Sequence, residues 1–145
     1  MMVLVDTTVW IDFFSARSSP HVLSLENLIE HRDDICICGV ILTEVLQGIQ
    51  NDNEFIKTRD LFNNLILLPM PYKTFLRSAE IYRFLRKKGI TIRKPIDCMI
   101  ASVAIENDIP LLHNDKDFIP ISKHCGLKVL YLFRGQTVRP RKVAK

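Results

Sequence analysis

The sequence predicts an α/β fold of the three-layer α/β/α type, with helices on both faces of a central parallel sheet of about five strands. Short apolar runs alternate with amphipathic stretches along the chain, which is typical of strand–helix–strand units. The apolar runs are continuous, as in strands whose two faces are both buried. The chain has 145 residues, the usual size of one folded unit, so we expect one such domain.

Five apolar runs are the predicted strands. They cover residues 2–5, 35–38, 65–68, 110–113 and 128–132. Helices are predicted over residues 7–15, 20 to about 32, 40–50, 52–64, 71 to about 88 and from 95 onward, with a short helical turn after 115. Pro20, Pro71 and Pro95 suit first helical turns, where the missing N–H is not needed. Gly89 suits the position just past the end of the long helix.

The composition is that of an ordinary globular domain, with 48% hydrophobic and 25% charged residues. The most apolar stretches, residues 36–42 and 99–105, are far shorter than the roughly 18 residues that a membrane span requires. The first residues carry no basic segment before Asp6. We therefore expect no signal peptide, no membrane association and a cytoplasmic location.

The four cysteines stand at positions 36, 38, 98 and 125. Their spacing lacks the paired Cys-x-x-Cys motifs of common zinc sites. We expect reduced, mostly buried thiols. A zinc site formed by Cys36, Cys38, His124 and Cys125 is the less favoured alternative.

Positive charge is concentrated in two segments. The net charge is +4, but residues 134–145 hold five basic residues and no acid, which leaves residues 1–133 with 15 basic and 16 acidic residues. We therefore treat 1–133 as the folded domain and 134–145 as a basic C-terminal tail. A second acid-free cluster spans residues 83–94. Its candidate RNA-binding residues are Arg86, Lys87, Lys88, Arg93 and Lys94. For residues 83–88 a solvated helix end, whose cations complement the helix dipole, is an equally open interpretation.

Four acidic residues fall near the carboxyl ends of predicted strands, where parallel sheets place their sites. Asp6 follows the first strand, Glu44 lies early in the helix after the second, and Asp115 lies two residues after the fourth. Asp97 lies in the first turn of the helix that Pro95 begins. Taken singly, the three aspartates have an ordinary role at helix N-termini, and Glu44 could be exposed on an amphipathic helix.

Taken together, the four acids predict a metal centre. Gathered carboxylates repel one another and raise each other's pKa, and a divalent cation removes that cost. An all-oxygen set of ligands favours Mg²⁺ or Mn²⁺ over zinc. Arg93 and Lys94 directly precede Pro95, so basic side chains would flank the acidic cleft and attract a polyanion. This combination is expected of a metal-dependent nuclease.

The helix after Asp6 carries three aromatic residues, Trp10, Phe13 and Phe14. They could stack on RNA bases. Their helical spacing favours packing in the core or at a dimer interface instead.

Four segments give the sequence a resemblance to a known family. They are residues 5–12 (VDTTVWID), 43–48 (TEVLQG), 95–101 (PIDCMIA) and 111–118 (LLHNDKDF). Over roughly residues 2–132 the chain resembles PIN-domain ribonucleases, specifically the VapC-type toxins of bacterial and archaeal toxin–antitoxin pairs. The resemblance implies a PIN-like fold and an endoribonuclease. Such an enzyme would hydrolyse RNA phosphodiesters with a metal-activated water and leave 5′-phosphate and 3′-hydroxyl ends.

The resemblance also implies roles for individual residues. The acidic metal site would consist of Asp6, Glu44, Asp97 and Asp115. Thr7 or Thr8 would help to hold that site or its water. His113 stands where the family usually has Thr or Ser, so that position must work differently here. Asp117 could add a ligand, but we favour a role for it as the cap of the following turn.

Three partners are implied by the same resemblance. RNA is the substrate, with transfer RNA the leading expectation and ribosomal and messenger RNA left open. A cognate antitoxin would place its C-terminal segment in the active-site groove. The chain would form a homodimer, which could join the antitoxin in a larger hetero-oligomer.

Two other functions fit parts of the sequence. One is a non-catalytic RNA-binding PIN module, although degenerate members lose acids and this chain keeps all four. The other is a receiver-like phosphotransfer domain, which shares the sheet and the acids. No Asp follows the third predicted strand, where the phosphoacceptor of such a domain would lie.

Overall fold

The computed structural model describes residues 1–130, and these form four strands and seven helices. The strands are β1 (Met2–Val5), β2 (Asp34–Cys38), β3 (Ile66–Leu68) and β4 (Leu111–Leu112). The helices are α1 (Thr7–Phe14), α2 (Pro20–Glu30), α3 (Gly39–Gln47), α4 (Asp52–Phe62), α5 (Tyr72–Lys87), α6 (Pro95–Glu106) and α7 (Phe118–Cys125). The predicted basic tail lies outside the described residues.

The four strands form one parallel sheet in the order β3-β2-β1-β4. Leu4 of the central strand pairs with Cys36 on one side and with Leu111 on the other. Residues 128–130 of the predicted fifth strand (128–132) run parallel to β4 and bridge it between Val129 and Leu111. Leu111 N donates to Lys128 O at 2.9 Å, and Leu130 N donates to Leu111 O at 3.0 Å. The last two residues of that predicted strand lie outside the described residues.

The strand order creates a crevice between β1 and β4. The chain runs outward from β1 through β2 to β3, and then returns to the other side of β1 to form β4. Ligands of parallel sheets bind at such a reversal, outside the carboxyl ends of the strands. The backbone N–H of Asp6 donates to Leu112 O at 2.9 Å. The residues that follow β1 and β4 are therefore held side by side.

The helices cover the sheet in two groups that complete the three layers. Helix α1 packs on α2 and α3, and α5 packs on α6 and α7. The core between them includes Leu4, Trp10, Ile100 and Phe118, all almost fully buried. The Trp10 ring lies 4.9 Å from the Phe62 ring. Trp10 therefore packs in the core, as the helical spacing predicted.

Local signals in the sequence set the helix ends. Ser19 caps α2 by accepting from Val22 N at 3.2 Å, and Pro20 follows it in the first turn. Gly89 has a φ of +81°, the left-handed conformation that ends helices and suits glycine. A short helical turn is predicted after residue 115, whereas the structure has the eight-residue helix α7 there. No helix within residues 1–130 is both long and apolar enough to cross a bilayer.

Candidate active site

Three aspartates come together at the carboxyl ends of β1 and β4. Asp97, Asp115 and Asp117 each offer a carboxylate oxygen, and these atoms lie within 4.8 Å of one another. Asp97 reaches the group from the first turn of α6, and the other two lie on the loop between β4 and α7. Within residues 1–130 this is the one group of three or more acidic, histidine or cysteine side chains with metal-binding spacing. The zinc alternative therefore has no support there.

The favoured role of Asp117 as a turn cap is wrong. Its carboxylate makes no capping hydrogen bond at the start of α7. Asp115 takes that part instead, because its Oδ1 accepts from the backbone N–H of Asp117 at 2.9 Å. The Asp117 side chain is thereby free to join the acidic group. The sequence offered both interpretations, and only the tertiary arrangement separates them.

Asp6 is both a helix cap and part of the acidic crevice. Its Oδ2 accepts from the backbone N–H of Thr8 at 3.1 Å and from the Thr8 hydroxyl at 2.6 Å. Burial raises the pKa of Asp6, the Thr8 hydrogen bonds lower it, and the nearby Glu44 charge raises it, with a net increase. Its Oδ1 is buried and has no hydrogen-bond partner among the described residues. The ordinary and the functional interpretations of this residue are therefore compatible.

The pKa of Asp97 is strongly raised. Burial, and then the charge of Asp6, raises its pKa from 3.8 to about 7, against an opposing effect of Lys94. Its Oδ2 is buried without a hydrogen-bond partner among the described residues, and so is Oδ2 of Asp117. Buried carboxylate oxygens without donors are costly unless a cation or a proton compensates them.

Glu44 lies beside Asp6 but outside the group of three aspartates. It is half-buried on α3, and its Oε1 accepts from the Thr7 hydroxyl at 2.7 Å. The two threonines thus hold different acids, since Thr7 contacts Glu44 and Thr8 contacts Asp6. Thr8 also accepts from the backbone N–H of Asn114 at 3.1 Å. That contact ties the loop after β4 to the start of α1.

Two of the predicted RNA-binding residues pair with the acids. The Lys94 ammonium contacts Asp115 Oδ2, and Arg93 Nε lies 3.7 Å from Asp117 Oδ1. Burial raises the pKa of Asp115, but the Lys94 ammonium and the Asp117 backbone N–H outweigh it, so the net pKa is lowered. The cleft therefore contains both signs of charge at close range.

The other three predicted RNA-binding residues, Arg86, Lys87 and Lys88, are exposed at the end of α5. The Arg86 guanidinium lies 5.6 Å from the centre of the Tyr82 ring, and the Lys88 ammonium lies 5.1 Å from that of Phe84. Neither cation is paired with an acid in the part of the chain that the structure describes. Both interpretations of this segment, RNA contact and complement of the helix dipole, remain compatible with this placement.

His113 holds the loop that carries the acids. Its Nδ1 accepts from the backbone N–H of Asp115 at 3.2 Å, and its ring lies 4.8 Å from that of Phe118. Burial, with the charge of His21, lowers the pKa of His113 to about 4. The imidazole is therefore neutral at neutral pH and can accept this hydrogen bond. In this way a side chain other than the expected Thr or Ser supports Asp115.

A groove of about 480 Å³ begins at Glu44 and runs between α1, α3 and the start of α4. Its apolar wall includes Ile11, Phe14, Val45 and Ile49. Phe14 is 39% exposed there, unlike the buried Trp10. The groove thus connects an apolar surface directly to one of the acids.

The residues present fit a divalent cation. The donors are all carboxylate oxygens, which suit Mg²⁺ or Mn²⁺. Three of these oxygens, on Asp6, Asp97 and Asp117, are buried without hydrogen-bond partners among residues 1–130. Burial, and then the charge of Asp6, raises the pKa of Asp97, and a bound divalent cation would oppose both effects.

Two relatives resemble the chain along most of its length. VapC ribonuclease Mb1587 of Mycobacterium bovis is 33% identical over 129 residues, which cover 88% of this chain and 96% of that protein. Ribonuclease VapC1 of Methanocaldococcus jannaschii is 27% identical over 128 residues, which cover 88% of this chain and 85% of that protein.

Solved structures share the fold. A complex named VapBC2 from Rickettsia felis, bound to a DNA fragment from its promoter, contains a chain with a TM-score of 0.69 at 21% identity, covering 88% of this chain and 96% of its own. A chain of VapBC-1 from nontypeable Haemophilus influenzae has a TM-score of 0.66 at 23% identity, covering 85% and 94%.

The family model for the PIN domain matches residues 3–123. The three-layer fold, the acids at the switch between β1 and β4, and the relative at 33% identity agree with that match. The chain belongs to the PIN-domain family, among its VapC ribonucleases.

Proposed function

We propose that this protein is a Mg²⁺- or Mn²⁺-dependent endoribonuclease that acts as the toxin of a toxin–antitoxin pair. One observation carries the proposal. Buried aspartate oxygens without donors converge at the carboxyl ends of β1 and β4, in a domain whose relatives are named VapC ribonucleases. An RNA-cleaving toxin would act in the cytoplasm, where the sequence led us to expect this protein.

The metal would be held by Asp6, Asp97 and Asp115, with Asp117 added to the predicted set. A divalent cation at such a site supplies charge neutralisation, an acidified water and polarisation of a phosphoryl oxygen. Glu44 stands beside this set with Oε1 fixed by Thr7. Its other oxygen can orient a water and accept its proton during attack on phosphorus.

Basic side chains would bring the RNA to this acidic site. Arg93 and Lys94 flank the acids directly, and they would neutralise phosphates on either side of the scissile bond. Arg86, Lys87 and Lys88 would extend that surface from the end of α5. Each phosphate contact adds affinity that falls with salt.

We further propose a cognate antitoxin and a homodimer as partners. Two of the structural neighbours are VapBC complexes. The groove beside Glu44 has an apolar wall and an acidic end, which suits a peptide with apolar side chains and one arginine. An arginine entering the acidic cleft would block the site by pairing with its carboxylates.

The test is RNA cleavage by the purified chain, free of any partner. Total RNA is incubated with Mg²⁺, with Mn²⁺ or with EDTA, and the wild type is compared with Asp97→Asn. We expect discrete bands that require metal and a rate lower by at least about 100-fold in Asp97→Asn. Glu80→Gln, which removes an exposed acid on α5, is the matched control and should cleave like the wild type.

Each alternative has its own outcome. Cleavage that persists in EDTA and in Asp97→Asn would overturn the metal site. RNA retained on a filter with no cleavage in any arm would favour the non-catalytic RNA-binding module. The bands themselves identify the target, because transfer RNA and ribosomal RNA fragments differ in size and sequence.

A further inference from the structure

Lys94 occupies a fixed position at the mouth of the acidic cleft. It is the residue that precedes Pro95 at the start of α6, and its carbonyl oxygen accepts from the backbone N–H of Asp97 at 2.9 Å. The proline ring restricts the backbone on its other side. The side chain of Lys94, which is 48% exposed, therefore extends from a backbone whose position is fixed.

The ammonium of Lys94 is turned inward, toward the acids. It contacts Oδ2 of Asp115, whose side chain is only 7% exposed. The hydrogen bond to Asp115 raises the pKa of Lys94, and the charges of Asp97 and Asp6 add to that effect. The Lys94 ammonium thus contacts Asp115 and also interacts electrostatically with Asp97 and Asp6.

The two oxygens of Asp115 have different partners. Oδ1 accepts from the backbone N–H of Asp117 at 2.9 Å, which is a fixed part of the loop. Oδ2 is taken by the Lys94 ammonium, which is on a flexible side chain. By contrast, Oδ2 of Asp97 and Oδ2 of Asp117 have no donor among the described residues. A cation that uses Oδ2 of Asp115 therefore competes with the Lys94 ammonium for that oxygen.

We propose that Lys94 is a built-in counter-cation that competes with the divalent ion for Asp115 and, once displaced, is presented to an RNA phosphate. This inference rests on the metal-dependent cleavage proposed above. Two cations a few ångströms apart repel each other strongly in a partly buried cleft. Metal binding would push the ammonium outward, while the fixed backbone at Pro95 keeps it at the edge of the cleft.

The consequence is a coupling between metal and RNA. Before a divalent ion binds, the Lys94 ammonium is paired with Asp115, and this pairing weakens its attraction for a polyanion. After the ion binds, the same charge becomes available to a phosphate beside the scissile bond. Lys94 would thus act as a positioning residue that helps RNA to bind where and when the metal is in place.

Arg93 is a weaker candidate for this role. Its Nε lies 3.7 Å from Asp117 Oδ1, and its side chain is 73% exposed. At that separation the pair makes no hydrogen bond. An exposed ion pair of this kind contributes little to the energy of the site.

The first test is Mn²⁺ binding to Lys94→Met, measured from the free-ion signal in electron paramagnetic resonance. We expect Mn²⁺ to bind roughly five- to tenfold more tightly than to the wild type, because no ion pair has to be broken. The matched control is Lys116→Met, which removes an exposed lysine next to Asp115 and changes the net charge equally. It should change the affinity by less than about twofold. Lys94→Arg keeps the charge and should bind Mn²⁺ nearly as the wild type does.

The second test is single-turnover RNA cleavage at saturating Mn²⁺. For Lys94→Met we expect the half-saturating RNA concentration to rise several-fold. Its dependence on salt should fall by about 0.7 in the log–log slope, the value for one phosphate contact to single-stranded RNA. Lys116→Met should show a smaller change in both quantities.

The outcomes distinguish a failure of the role of Lys94 from a failure of the proposed metal-dependent RNA cleavage. If the wild type binds Mn²⁺ but Lys94→Met binds it no more tightly than Lys116→Met, the competition is refuted and the metal site stands. If Mn²⁺ affinity rises but the salt slope is unchanged, the presentation to phosphate is refuted. If the wild type binds no Mn²⁺ at all, the metal-dependent function fails, and the role of Lys94 fails with it.

Discussion

The acidic crevice has two halves that hold their carboxylates by different means. Beside α1 and α3, neutral hydroxyls hold the acids, since Thr8 donates to Asp6 and Thr7 donates to Glu44. Beside α6 and α7, basic side chains neighbour the acids, with Lys94 in contact with Asp115. A hydroxyl fixes a carboxylate in place without neutralising it, whereas an ammonium does both.

Asp97 belongs to neither arrangement. Its Oδ2 has neither a hydroxyl nor a cation as hydrogen-bond partner among residues 1–130, and its pKa rises to about 7, first through burial and then through the charge of Asp6. Buried carboxylate oxygens without donors among the described residues thus occur in both halves, on Asp6 in one and on Asp97 and Asp117 in the other. A divalent ion between the halves would compensate these oxygens.

The largest effect is expected from Asp117→Asn, in the half of the crevice beside α6 and α7. If Asp117 belongs to the metal site, the variant removes one negative charge from that site, which should slow cleavage about 10- to 100-fold and weaken Mn²⁺ binding. If the Asp117 side chain only shapes the turn before α7, the variant keeps the hydrogen bond from the backbone N–H at position 117 to Asp115 Oδ1. The cleavage rate and the Mn²⁺ affinity then stay near those of the wild type. Glu80→Gln is again the control for loss of a remote acid.

Asp97→Asn should raise the free energy of unfolding in the absence of metal, although it should lower the rate of RNA cleavage. An acid whose pKa is about 7 in the folded chain and about 3.9 in the unfolded chain binds more protons when folded. The folded protein therefore loses stability as pH rises from about 4 to about 7. Asn removes that loss, so in EDTA at pH 7.5 the variant should be more stable by about 2–4 kcal/mol.

Urea unfolding of both proteins in EDTA at several pH values measures this difference. The gap should close below about pH 3, where Asp97 is protonated in both the folded and the unfolded state. With Mn²⁺ present, the wild type should gain stability and the variant should gain much less. A variant that is less stable than the wild type at pH 7.5 would contradict the account of Asp97 as an uncompensated charge.

The sequence predicted the backbone positions of the acids better than their partners. Asp6, Asp97 and Asp115 could be placed at one edge of the sheet because strand ends and helix starts are local signals. The pairing of Lys94 with Asp115 joins residues 21 positions apart through the path of the loop before α6, and no local pattern encodes that path. The role of Asp117 is ambiguous in the sequence for the same reason, since either of two neighbouring aspartates could cap the turn.

The edges of the fold were harder to predict than its centre. Strands β1 and β2 lie inside the sheet, and their apolar runs are almost fully buried. The predicted runs 65–68 and 110–113 form shorter strands, Ile66–Leu68 and Leu111–Leu112. Apolar composition indicates that a segment is buried, whereas the length of a strand depends on how much of its neighbour's backbone it pairs with.

The half of the crevice beside α1 and α3, where threonine hydroxyls hold the acids, can be tested with two matched variants, Thr8→Val and Thr7→Val. Thr8 donates to Asp6 and accepts from the backbone of Asn114, so its loss should lower the free energy of unfolding by about 1–2 kcal/mol and weaken Mn²⁺ binding. The Thr7 hydroxyl donates to Glu44. Its loss should leave Mn²⁺ affinity unchanged and slow single-turnover cleavage about tenfold. Equal effects of the two variants on Mn²⁺ binding would abolish the distinction between the two threonines.

The smallest effect is expected from Arg93→Gln on the cation side. Its pair with Asp117 spans 3.7 Å and the arginine is 73% exposed, so the free energy of unfolding should change by less than about 0.5 kcal/mol. If the guanidinium instead faces RNA, its loss should lower the log–log salt slope of RNA binding by about 0.7. Filter binding over a range of salt concentrations measures the slope, and chemical unfolding measures the stability. A clear loss of stability with an unchanged slope would show that Arg93 serves the fold, and RNA contact on this side would then rest on Lys94 and the end of α5.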